Sequence, residues 1–135
     1  MSTTLDIVNG ALRRIQLIGV TEVASAAEAA DALKAINGMM GAWGPQYDLD
    51  YTHTTLALDD AFPIAGGLHD GFEAMLAVRV ASSYGASNAV PNDVREAALE
   101  GWRLIEATYY KDVKSDVDTG LKWTPGQRRY GWTAA

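Results

Sequence analysis

"ALKAINGMMGAWGPQYDLDY", residues Ala32 to Tyr51, is the stretch that decides the fold. Apolar side chains keep helical spacing as far as Trp43. Gly44-Pro45 then stops the helix, because proline lacks the N–H that the next turn would need. Beyond it, aromatic and acidic residues alternate. Met39, Met40, Trp43, Tyr47 and Tyr51 therefore crowd around a break, and something has to cover them. The spacing assigns Met40 and Trp43 to the chain's own core. Tyr47 and Tyr51 lie past the break, on an arm that Gly44-Pro45 throws outward.

The helix that ends here begins with a capping box. Ser25 and Glu28 are three residues apart, so hydroxyl and carboxylate each satisfy an unpaired backbone N–H. Ala26, Ala29, Ala30, Leu33, Ile36, Met40 and Trp43 mark one face, small at its start and bulky at its end. From Ser25 to Trp43 such a helix spans ~28 Å at 1.5 Å per residue.

Three more helices flank this one. The first runs from Thr4 to about Leu17 on the stripe Leu5, Val8, Leu12, Ile15, with Thr3 or Thr4 as cap and Gly19 as stop. Gly10 inside it marks a place where another helix comes close. The third runs from Leu68 to Tyr84 on Leu68, Phe72, Met75, Leu76 and Val80, ended by Gly85. The fourth starts at Pro91 or Asn92, where proline suits the first turn, and carries Val94, Ala97, Ala98, Gly101, Ile105 and Tyr109 to about Val113.

Residues 45–66 have no helical period. "YTHTTLAL" alternates, and Asp59-Asp60 signals a turn, so an extended arm or short hairpin is expected. The expected class is all-α: a small bundle of four main helices over 4–113, with the arm inserted, and an extended C-terminal tail over 114–135.

Composition sets limits. The chain has 135 residues, no Cys, and a net charge of −6. Residues 1–110 hold 14 acids and 6 bases, whereas residues 111–135 hold 3 acids and 5 bases. An acidic body argues against a phosphate-backbone binder. No basic-then-apolar leader opens the sequence and no run reaches a membrane span, so no membrane partner is expected.

Catalytic chemistry finds little support. His53 and His69 lack the companion ligands that a metal site needs, so neither a metal nor a cofactor is expected. Asp70 and Glu73 could form an acid–base pair, but that chemistry needs carboxylates facing each other across a cleft. Two acids in one helical turn are more simply matched to the helix dipole. Ser82-Ser83 lacks a nucleophile-elbow context. A helix-turn-helix reading, that of a small DNA-binding regulator, would place Glu28 and Asp31 where base contacts are made, leaving Lys34 as the one base on that helix. It is the alternative to the function below.

The tail is different. Trp123, Arg128, Arg129, Tyr130 and Trp132 fall within ten residues, and these types dominate binding interfaces. They either fold back on the body as a lid or meet a partner.

Three stretches together resemble a known family: "ALRRI…GV" (Ala11 to Val20), "ALKAINGMMGAW" (Ala32 to Trp43) and "GLHDGFEAMLAVRVASSYG" (Gly67 to Gly85). They are similar to head-to-tail adaptor proteins of tailed bacteriophages, in particular the packaged-DNA-stabilising tail accessory factors. The resemblance covers roughly residues 6–110 and rests on apolar and small residues, not on catalytic signatures. It implies a virion protein of the neck, assembled in the host cytoplasm, without enzymatic activity. It implies a ring, commonly of twelve subunits, docked under the portal protein, which closes the DNA-filled capsid and offers a platform to a downstream tail or nozzle protein. Packaged DNA would pass through without specific binding. Portal contact falls on Leu121, Trp123, Arg128, Arg129, Tyr130 and Trp132. Subunit contact is expected at Tyr47, Tyr51, Leu56 and Phe62.

Overall fold

The computed structural model describes residues 2–85 and 89–110. Within them the chain forms helix α1 (Thr4–Arg14), α2 (Ala26–Gly41), a 3-10 turn (Gly66–Leu68), α3 (His69–Ser83) and α4 (Asn92–Thr108). No strand occurs among the described residues beyond an isolated bridge between Thr3 and Ala61. The expected all-α bundle with an inserted extended segment is what the chain forms.

Helix starts follow local chemistry. Thr3 accepts from the Asp6 N–H and Asp6 returns a bond to the Thr3 N–H, closing a capping box on α1. Ser25 and Glu28 close the expected second box on α2. Helix ends are less obedient. α1 stops at Arg14, short of Leu17, and Gly19 is not its stop. The reversal is made by Gln16, at φ 61°, with Gln16 N–H bonded to Arg13 O at 3.1 Å and Leu17 N–H to Leu12 O at 3.0 Å. This double bond pattern is the usual glycine-ended helix terminus, built here on a glutamine. α3 ends as expected, with Gly85 at φ 69°. α4 ends at Thr108, capped by Tyr109, short of Val113.

α3 is the central element. Phe72, Ala74, Leu76, Ala77, Val80 and Ala81 are all buried, so more than one of its faces is covered. α1 and α2 pack on it, and so does α4. The alanines allow close approach. The tightest crossing uses two glycines: a Cβ built on Gly71 would lie 2.5 Å from the Gly101 Cα. Gly101 belongs to the expected stripe of α4, but its partner Gly71 carries no pattern that singles it out. Gly10 behaves as anticipated, lying against the Glu73 side chain of α3, where a Cβ would sit 2.5 Å from the carboxylate.

The buried face of α2 is rotated from the expected one. Ala29, Ala32, Ile36, Met39 and Met40 are buried, while Ala26 and Ala30 are exposed. Alanine has too little bulk to dictate which side faces inward, so contacts with α1 and α3 decide.

The arm does not project. It turns back across the body and completes the start of α1. Thr4 N–H donates to Asp60 O and Leu5 N–H to Leu58 O, each at 2.9 Å. Those are N–H groups that a helix leaves unpaired at its first turn. Phe62 N–H donates to Ser2 O at 3.0 Å, and the buried Thr4 hydroxyl reaches Asp60 O at 3.1 Å. Farther along, Asn37 of α2 grips Leu56 at both backbone groups and accepts from His53 Nε2 at 2.9 Å. At the arm's beginning, Asp50 N–H donates to Tyr109 O at 2.7 Å, joining it to the end of α4.

Candidate functional site

Trp43 is the hub of the break at the end of α2, and only 1% of it is exposed. Its ring centroid lies 5.1 Å from Tyr51, 6.0 Å from Phe72, 6.0 Å from Tyr109 and 6.4 Å from Trp102. The rings therefore close a seam between α2, the arm, α3 and α4. Edge-to-face contacts such as Trp43–Tyr51 each add about 0.5–1.5 kcal/mol beyond burial. Met40 is fully buried, in agreement with its assignment to the core.

The four residues expected at a subunit contact separate. Phe62 is 5% exposed and packs 5.0 Å from the Phe72 ring, so it belongs to the chain's own core. This corrects its assignment, and the cause is the inward course of the arm. Leu56 is half-buried against the core beside the Asn37 clamp. Tyr51 is half-buried between Trp43 and Tyr109, and its hydroxyl is pushed up to about 12, first by burial and then by Tyr109. Only Tyr47 stays largely in water, 49% exposed, with its ring edge 5.0 Å from Trp102. The tail residues Leu121, Trp123, Arg128, Arg129, Tyr130 and Trp132 lie outside the described residues.

Beside the seam runs an open groove of about 480 Å³ between α2, α3 and α4. Met39, Trp43, Met75 and Trp102 are among its lining residues, and so are Tyr47 and Arg79. Arg79 is exposed and has no carboxylate partner among the described residues.

A second apolar feature lies at the other end of α2. The loop from α1 to α2 holds Val20 at 85% exposure and Val23 at 68%. Loop tips that expose valine usually do so because they are loose, but this one is tied down. Gly19 N–H donates to Glu22 Oε1 at 3.0 Å, and Glu22 N–H returns to Gly19 O at 3.1 Å. Arg13 Nη2 donates to Glu22 O at 2.7 Å, and Ala24 N–H to Asn9 Oδ1 at 2.9 Å. A third apolar surface is the outer side of α4, where Leu99 and Leu104 are exposed.

The residues weighed for chemistry are engaged in structure. Arg14 Nε lies 3.2 Å from Glu73 Oε1, and Arg14 Nη2 lies 3.4 Å from Asp70 Oδ1. The two carboxylates thus share one guanidinium and do not face each other across a cleft. Burial raises the Glu73 carboxyl against the pull of Arg14. His69 Nε2 donates to Ile64 O at 2.9 Å. Among the described residues, no group of three or more His, Asp or Glu is placed to hold a metal ion. No described helix is long and apolar enough to cross a membrane.

Sequence reasoning missed both the groove and the tethered loop. Arg79 lies in an apolar run, "MLAVRVA", and its isolation there was a signal. Val20 and Val23 bracketing Glu22 in a segment without helical period was another. No family model, no curated protein and no solved structure matches the chain.

Proposed function

We propose that the chain is a structural subunit, a head-to-tail adaptor of a tailed bacteriophage, which forms a ring beneath the portal and gives the tail its platform. The resemblance of the three stretches between Ala11 and Gly85 supports this reading. The observation that carries it is apolar surface left in water on separate faces of a small helical body: Val20 and Val23 on a tethered loop, Leu99 and Leu104 on α4. Apolar residues exposed together on a tethered loop fit a surface that meets a neighbouring subunit. Contacts between different surfaces of identical copies are the kind that close into rings.

The aromatic and basic residues beyond Tyr110 then serve the portal, with Leu121, Trp123, Arg128, Arg129, Tyr130 and Trp132 as its contacts. The acidic body suits a conduit, since phosphate does not adhere to a negative wall.

The deciding experiment is native mass measurement and electron microscopy of the protein alone and mixed with portal rings. The expected outcome is a ring of copies on the portal face. A chain ending at residue 114 should keep the helical circular dichroism of the body and fail to dock. Docking by the shortened chain, or no ring under any portal, would overturn the reading.

A further inference from the structure

We infer that the tethered loop of one copy, Val20–Glu22–Val23, docks into the groove between α2, α3 and α4 of the next. It rests on the ring reading for a closed assembly, but contact between two copies is measurable without any other protein.

The two surfaces match in chemistry. The loop offers two valines, 85% and 68% exposed, flanking a carboxylate. The groove offers the part-exposed Met75 and Trp102, with Arg79 also in its lining, while Met39 and Trp43 are 7% and 1% exposed there. Arg79 has no acidic partner among the described residues, and Glu22 has no basic partner for its carboxylate there. Glu22 uses one carboxylate oxygen to hold Gly19 N–H, which fixes where its charge points. Methionine-lined surfaces accept branched aliphatic side chains readily, because methionine adapts its shape. The four hydrogen bonds that hold the loop mean that little ordering entropy is lost on docking.

The two surfaces cannot meet within one chain. The loop enters α2 at Ser25, and the groove begins at Gly38, thirteen residues on, which is ~20 Å along a helix. The loop is also bonded to α1 at Asn9 and Arg13. Loop and groove are therefore complementary and fixed apart, the geometry of a head-to-tail contact that repeats.

The chain has no cysteine, so single thiols report the contact cleanly. Val20→Cys lies on the exposed tip, and Gly38→Cys lies at the groove, where an added Cβ meets nothing within 4 Å. Full-length Val20→Cys and Gly38→Cys proteins are mixed under mild oxidation, with Asp59→Cys, in an exposed turn of the arm, replacing Gly38→Cys as control. The expected result is a Val20–Gly38 heterodimer that forms faster than either homodimer and faster than the control pair. Arg79→Glu should slow it by about two- to fivefold, the range of an exposed ion pair. Glu22→Gln, which keeps the acceptor for Gly19, should slow it likewise. The combined Glu22→Lys and Arg79→Glu exchange should recover part of the rate, with circular dichroism confirming the fold of each variant. Equal rates for the test and control pairs would overturn the contact, as would indifference to both charge variants. Rings under the portal without this cross-link would overturn the contact and leave the ring reading standing. The cross-link without rings would do the reverse.

Discussion

At the scale of single residues, two non-glycine positions, Gln16 and Asp48, hold a positive φ that carries cost. Gln16 holds a left-handed conformation, φ 61°, that an L side chain adopts at an expense of about 1–2 kcal/mol. Gln16→Gly should stabilise the chain by about 0.5–1 kcal/mol, since glycine's greater freedom when unfolded cancels part of the relief. A urea titration with unchanged slope and a higher midpoint is the expected outcome. Gly71 is the opposite case. Its Cα side meets the Gly101 backbone, with 2.5 Å left for a Cβ, and backbone cannot step aside as a side-chain end can. Gly71→Ala should destabilise by about 1–3 kcal/mol despite alanine's better helix propensity. At Gly10 the obstacle is the Glu73 carboxylate, which can move at the expense of its bond to Arg14, so Gly10→Ala should cost less. The same urea titrations rank the two glycines.

At the scale of elements, the arm depends on one asparagine. Asn37 accepts from Leu56 N–H, donates to Leu56 O and accepts from His53 Nε2, which makes α2 behave like a paired strand for the arm. His53 is neutral in this arrangement, with its proton on Nε2. Its Nδ1 is buried and lacks a hydrogen-bond partner. Protonation would place an N–H there with nothing to accept it, and burial holds the imidazole below its ordinary 6.5. The sign follows. A lowered folded pKa means that the unfolded chain takes the proton more readily, so this contribution is present above pH 6.5 and lost as pH falls through the folded value. Amide hydrogen exchange at Leu56 should therefore accelerate as pH falls below 6.5, after correction for the intrinsic pH dependence of exchange. His53→Gln should flatten that response, and Asn37→Ala should raise exchange at all pH values.

At the scale of the whole molecule, charge separates the adaptor reading from the regulator. Residues 1–110 carry 14 acids and 6 bases. The full chain should leave duplex DNA unretarded even at low salt. Retention that falls steeply with added salt would favour a DNA-binding regulator, because released counterions give such binding its slope. Scale also explains what the local patterns could not supply. Tyr47, Tyr51, Leu56 and Phe62 look alike as apolar residues in a segment without helical period. Their fates differ because the arm turns inward, which leaves Tyr47 half in water and Phe62 in the core.

What the sequence determined by itself is the set of helices and their starts: period and capping are local, and Thr3–Asp6 and Ser25–Glu28 act across three residues. The burial of Trp43 was legible too, because a tryptophan closing an apolar stripe has few other places to go. Only the tertiary structure decided where the arm lies, which aromatic rings are consumed, and that Arg79 and Glu22 have no ionic partner among the described residues. Those outcomes depend on contacts such as Thr4 with Asp60, 56 residues apart, and on the Gly71–Gly101 crossing. Two segments that distant meet only when the intervening helices have packed, and no spacing within either segment encodes the meeting.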